Sequence, residues 1–95
     1  MKVFLSGPIT GDDDYKEHFA EVEQALKAQG HIVLNPAIYP PGLTINDYMS
    51  LGLKMLDIAD AVCFLHGWGD SRGAKIEMDY ATYSGKMIMF EGASY

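Results

Sequence analysis

Several things are scarce in this 95-residue chain, and each scarcity closes off a class of function. There is one cysteine, Cys63, set in an apolar run, so no intrachain disulfide framework exists and the thiol belongs to a core. Seven Lys and Arg stand against 13 Asp and Glu, a net charge of -6, which disfavours binding to nucleic-acid backbones because that needs clustered cations. No apolar stretch is long enough to span a membrane. The run Met1 to Leu5 is too short for a signal peptide and meets Gly7-Pro8 at once, so the expectation is a cytoplasmic protein. Neither G-x-G-x-x-G nor a Gly-Lys-Ser/Thr loop occurs, which removes the common dinucleotide and Walker-type readings. No cofactor or metal is expected. The partner these absences leave is a small molecule.

What is present is an alternating pattern. Lys2 to Ser6 is a short buried strand broken by Gly7-Pro8-Ile9-Thr10-Gly11. Asp14 with Glu17 has the form of a capping box, and Tyr15, Phe19, Val22 and Leu26 follow at helical spacing until Gly30. His31 to Leu34 is a second strand, ended by Asn35-Pro36 and a Pro-rich loop. Thr44 with Asp47 caps a second helix whose stripe runs Ile45, Tyr48, Met49, Gly52, Met55, Leu56, Ala59. Ala61 to Leu65 has no polar alternation, as a strand covered on both faces requires. A helix from about Ser71 to Ser84 and a strand from Lys86 to Phe90 complete the set. The order β-α-β-α-β-α-β with short connections predicts an α/β fold, a Rossmann-like or flavodoxin-like three-layer sandwich on a four-stranded parallel sheet of order 2-1-3-4. One domain over residues 1–95 is expected, and so small a domain would gain from oligomerisation. Ligands of such sheets bind beyond the carboxyl ends of the strands, where strand order reverses. That rule lines the crevice with Gly7 to Gly11, Asn35, His66 to Trp68 and the start of the Ser71 helix.

The residue out of place is Glu77. The core-facing stripe of the last helix reads Ala74, Glu77, Met78, Ala81, and an unpaired carboxylate there is costly. Two accounts compete: a buried Glu paired with Lys or Arg, or an acid facing a cleft. Ser71 is a good N-cap, and free amides at a helix start beside Gly73, with Arg72 nearby, also suit a phosphate. Six residues separate Ser71 from Glu77, between one and two turns, which fits a ligand of nucleoside size. Gly7, Ile9, Thr10 and Gly11 form either a plain turn or a loop that lets a ligand approach the backbone. His66 and Trp68 offer an imidazole donor and a ring for stacking, or a rim covering the core. Asp12, Asp13 and Asp14 suit the positive end of a helix dipole better than a metal, and Asp60 lies at the far end of the sheet. Ile76, Tyr80 and Tyr83 make a second stripe, suited to a neighbouring helix or subunit.

Together, Phe4-Leu5-Ser6-Gly7-Pro8-Ile9-Thr10-Gly11, Ala59-Asp60-Ala61-Val62, and Ser71-Arg72-Gly73-Ala74-Lys75-Ile76-Glu77 running on to Gly85-Lys86 resemble the nucleoside 2-deoxyribosyltransferase superfamily, in particular a small, often phage-encoded branch. The resemblance implies cleavage of an N-glycosidic bond, with Glu77 matching the carboxylate that attacks the anomeric carbon. It also implies a homo-oligomer whose pockets neighbouring chains complete. Serine at position 71 is similar to the related 2'-deoxynucleoside 5'-monophosphate N-hydrolases, where the transferases tend to carry an acid, so a 5'-phosphate ligand is implied. One position departs from the pattern: eight residues before Asp60 the superfamily usually carries an aspartate, and here stands Gly52. That leaves the proton for the departing base to His66, Asp47 or a neighbouring subunit. The alternative function is a nucleotide-binding module without chemistry.

Overall fold

The computed structural model describes residues 1–93. Four strands, β1 (Lys2–Ser6), β2 (Ile32–Leu34), β3 (Ala61–Phe64) and β4 (Met87–Phe90), form one parallel sheet in the order β2-β1-β3-β4. Three helices alternate with them: α1 (Tyr15–Ala28), α2 (Ile45–Ile58) and α3 (Arg72–Tyr83). The expected architecture is therefore the observed one. Short 3-10 turns at Pro36–Ile38 and Trp68–Asp70 sit in the loops after β2 and β3.

Side chains alternate across each strand, and this sorts the core into two layers. Val3, Leu5, Ala61 and Cys63 pack with Phe19, Val22 and Leu26 of α1. Phe4, Val62 and Phe64 pack on the other face with Leu56 of α2 and Ala81 of α3. The same alternation puts Ser6, two residues after Phe4, on the α2/α3 face at the carboxyl end of β1, where it is 1% exposed. A hydroxyl buried there needs a partner.

The helix ends follow local chemistry. Thr44 Oγ1 accepts from the Asp47 amide while Asp47 returns a bond from the Thr44 amide, closing the expected capping box. The box expected at Asp14 does not form: Asp14 is the N-cap but its side chain makes no cap bond, and Asp12 Oδ1 instead accepts from the Asp14 amide at 3.0 Å. An aspartate two residues upstream closes an Asx turn with less reorganisation than a Glu reaching back. Asp60 is structural, accepting the Lys2 amide at 2.8 Å and tying β1 to the start of β3. That bond holds its carboxyl below the usual range. On the second stripe, Tyr80 donates to Asp57 of α2 at 2.5 Å, whereas Ile76 and Tyr83 are exposed.

Candidate active site

A cleft of about 730 Å³ opens on the α2/α3 side at the carboxyl end of β1. Its walls are the β1 loop (Ser6 to Thr10), the loop after β2 (Tyr39, Pro41, Gly42), the first half of α2 (Ile45 to Gly52) and the start of α3 (Asp70 to Glu77). A second hollow, about 530 Å³, lies among Met1, Gln29, His31 and residues 87–90 and contains no carboxylate. Chemistry therefore concentrates in the larger cleft.

Glu77 sits within this cleft. Ser6 Oγ donates to Glu77 Oε1 at 2.6 Å, so the hydroxyl left at the end of β1 finds its partner in the acid left on the apolar stripe of α3. No Lys, Arg or His among the described residues reaches salt-bridge distance of Glu77, which disposes of the paired-ion account. Burial pushes its carboxyl up to about 7, with the Ser6 bond pulling the other way. An acid poised near neutrality in a cleft is the usual electrostatic mark of a functional group.

Gly52 explains how α2 tolerates that acid. A Cβ at position 52 would stand 2.6 Å from Glu77 Oε2, so the interruption in the α2 stripe is the space the carboxylate occupies. Gly52 and Glu77 are thus one feature written in two places of the sequence. Gly7 also has a packing reason, since a Cβ there would meet Leu65 Cβ at 2.9 Å.

Of the remaining expected site residues, Gly7, Ile9, Thr10, Ser71, Arg72 and Gly73 line the cleft. Ser71 caps α3, its Oγ accepting from the Ala74 amide at 3.2 Å. The amides of Arg72 and Gly73, in the first turn of α3, have no acceptor within the helix, and both residues line the cleft.

Four residues are placed elsewhere. Gly11, at φ +83°, lies past the lining in the turn before α1. Asn35 is 8% exposed and spent on structure, its Oδ1 capping the turn at Ala37 and its Nδ2 donating to Glu23 at 2.8 Å. His66 turns toward Glu91, whose Oε1 accepts its amide at 2.8 Å, and its Nε2 lies 3.1 Å from the Glu91 carbonyl. Trp68 packs against Phe64 and Phe90, ring centroids 5.2 and 6.1 Å away, over the β3/β4 edge. The strand-end rule fixes an edge of the sheet but not a face: Gly11, Asn35 and His66 lie toward α1, whereas Trp68 is on the α2/α3 face but spent on packing at the β3/β4 edge. Asp47, the other candidate for the departing base's proton, is committed to the Thr44 cap.

Two cleft residues escaped the sequence reading. Ser6 was hidden as the last residue of a strand, though strand alternation with Phe4 pointed to its face. Tyr39 lies in a Pro-rich loop with no periodic pattern, and its hydroxyl is buried in the cleft wall without a hydrogen-bond partner among the described residues. Burial and the charge of Glu77 both hold the phenol above its ordinary value.

The α/β fold is shared with two solved proteins. The 2-deoxyribosyltransferase of Bacillus psychrosaccharolyticus superposes with a TM-score of 0.74 at 22% identity, over 95% of this chain and 71% of that one. The enzyme of the same name from Leishmania mexicana also gives 0.74, at 17% identity, over 94% of this chain and 62% of the other, so this chain spans less than two thirds of that protein. Residues 1–90 match the family described as domain of unknown function DUF4406, and the chain belongs to that family. No curated protein matches it.

Proposed function

We propose that the protein is a nucleoside 2-deoxyribosyltransferase-like enzyme that cleaves the N-glycosidic bond of a (2'-deoxy)nucleoside 5'-monophosphate, with Glu77 as nucleophile. The observation that carries this reading is the Glu77 carboxylate, buried in the cleft, free of any cation and aimed by Ser6. The transition state at the anomeric carbon resembles an oxocarbenium ion, which an adjacent anion stabilises and captures. The C1'–N bond breaks toward the base as Glu77 Oε2, the oxygen not held by Ser6, bonds to C1'. Water, or a second base in a transfer reaction, then releases the sugar. Six residues of helix separate Glu77 from Ser71, about 9 Å of axial rise, so the Arg72 and Gly73 amides can take the 5'-phosphate while the anomeric carbon meets Glu77. The two solved relatives carry the name 2-deoxyribosyltransferase, which is consistent with this substrate class. The proposed setting is a cytoplasmic homo-oligomer. The outer wall near the cleft leaves Ile38 74% and Ile45 81% exposed, surfaces a second copy would cover.

The test is chromatographic detection of free base from a panel of deoxynucleoside and ribonucleoside 5'-monophosphates, with and without an acceptor base. Turnover abolished by Glu77→Gln supports the reading, and no turnover on any pair defeats it. A second reading, a module that binds a nucleotide without chemistry, is favoured by the bare backbone at Gly52, which leaves Glu77 the only carboxylate beyond the Asp70 rim. Calorimetric nucleotide binding that survives Glu77→Gln, with no product, distinguishes it.

A further inference from the structure

Cleaving a nucleoside puts negative charge on the departing base, and some group must answer it. Glu77 attacks C1' from the face opposite the base, so the base leaves away from α3 and the Gly52 turn of α2. The lining that remains is the β1 loop, the start of α1, the loop after β2 and the start of α2. Most of its polar groups are ill suited to a forming anion. The Tyr39 hydroxyl has almost no accessible surface, and the Tyr48 hydroxyl donates to the Pro40 carbonyl at 2.8 Å and accepts the Leu43 amide at 3.3 Å. Thr10, Tyr15 and Asn46 are neutral donors, and Asp70, at the α3 end, carries a charge of the same sign as the base.

One cation stands on this wall. Lys16, in the first turn of α1, is exposed and lines the cleft. Asp12, Asp13, Asp14 and Glu17 surround it in the sequence, yet among the described residues it forms no ion pair. Other lysines are engaged: Lys27 pairs with Glu23 at 2.6 Å, and Lys86 donates to the Asp57 and Ala59 carbonyls at 2.8 Å each. Arg72, the other cation of the cleft, stands at the start of α3 beside the amides assigned above to the phosphate. Lys16 and Arg72 balance Asp70 and Glu77 in the cleft, while 11 of the 13 acids and only five of the seven cations lie outside it. An anion is therefore opposed less here than over the rest of this acidic chain.

We infer that Lys16 is the residue whose ammonium stabilises the negative charge on the departing base, in a cleft where position 52 supplies no acid. The inference rests on the N-glycosidase reading above. As Glu77 Oε2 bonds to C1', the C1'–N electron pair passes to the base, and a Lys16 N–H donates to a ring nitrogen or carbonyl oxygen that shares the charge. The base anion then takes a proton from water, and the hydroxide so formed goes to C1' as the Glu77 ester opens and the carboxylate is restored. Lys16 keeps its proton throughout. Because the charge on the base develops only as the bond breaks, this contact speeds turnover more than it tightens binding.

Lys16→Met tests this, because it removes the charge and keeps the apolar stem. Two substrates are compared: a natural deoxynucleoside monophosphate, and a 4-nitrophenyl 2-deoxyriboside 5-phosphate whose leaving group is already a stable anion. The expected result is a fall of roughly a hundredfold in kcat on the nucleotide with KM changed less than threefold, and a loss of no more than about threefold on the nitrophenyl substrate. Lys16→Arg, which keeps a cation, should recover kcat on the nucleotide to within about tenfold of wild type. A rise in KM with kcat unchanged would make Lys16 a contact for a fixed anion such as the phosphate and overturn the inference. Equal losses on both substrates, with wild type active, overturn it and leave Glu77 standing. So does a selective loss on the nucleotide in Tyr15→Phe with Lys16→Met near wild type, which places the donor at the phenol. Wild-type protein inert toward both substrates removes the N-glycosidase reading and this inference with it.

Discussion

Two carboxylates, Glu77 and Glu91, stand near the carboxyl edge of the same sheet and are treated oppositely. Glu91, just past β4, is partly withdrawn from water, which raises its carboxyl, yet the His66 amide at 2.8 Å and His18 Nε2 at 2.7 Å outweigh that and bring it below the ordinary range. Glu77 has one hydroxyl donor against deeper burial, and burial wins. The first is an acid satisfied by its surroundings, stitching α1 to the ends of β3 and β4. The second is held short of partners and so remains available to a ligand. Residue type says nothing about this difference; donor count and burial decide it.

Removing the ligand-facing acid should have the largest effect. Glu77→Gln is expected to lower turnover by about a thousandfold or more while leaving the fold intact, measured as base release. The same variant should be the more stable protein above pH 7. A carboxyl at about 7 when folded and 4.5 when unfolded keeps its proton in the native state over that interval, so wild-type stability falls as pH rises from 4.5 to 7. The difference reaches at most about 3 kcal/mol above pH 7 and vanishes below 4.5, read from melting curves at pH 4 and 8.

Gly52→Ala comes next. Alanine favours the helix by about 1 kcal/mol, and the atom it strikes is the mobile end of Glu77, so melting should shift by only a few degrees. Activity should fall ten- to a hundredfold because the carboxylate is displaced from Ser6, and unchanged turnover would contradict the coupling of Gly52 to Glu77. Ser6→Ala leaves Glu77 with no donor. A hydrogen bond to a charged group is worth about 1.5–3 kcal/mol, so the rising limb of the pH–rate profile, near 7 in wild type, should move up by about one pH unit.

The smallest catalytic effect belongs to the contrasting acid. Glu91→Gln should leave turnover within twofold of wild type. Its lowered carboxyl contributes stability above about pH 4.5 that is lost as pH falls through the folded value, the reverse of Glu77. The variant should therefore melt lower at pH 7, by about 1 kcal/mol of stability, and lose part of the acid limb.

Much of the fold was legible because its signals are local. The α1 spacing of Phe19, Val22 and Leu26, the Thr44 box and the apolar run at β3 each report their own segment, and all are found in place. At Asp14 the reading failed because two nearby acceptors compete for the same helix start and sequence does not rank them. For the site, Glu77 was visible as a polar residue on an apolar stripe, and Ser71 as a cap. Asn35 and His66 lie outside the cleft because a strand-end position fixes an edge, whereas the face depends on the bend of the loop that follows; Trp68 shares the cleft's face but packs on Phe64 and Phe90.

What the amino-acid sequence determined by itself was the alternation of strand and helix, the parallel direction of the strands, and the presence of one acid where an apolar residue belongs. Those are matters of period, chain length and handedness, which neighbouring residues carry. Only the tertiary structure decided that Ser6, Gly52 and Tyr39 surround that acid. Residues 6, 39, 52 and 77 come from β1, the loop after β2, α2 and α3, and their meeting is set by packing across the sheet. Gly52 shows the reason most simply: in the sequence it is a gap in a stripe, and in the fold it is the room that Glu77 fills.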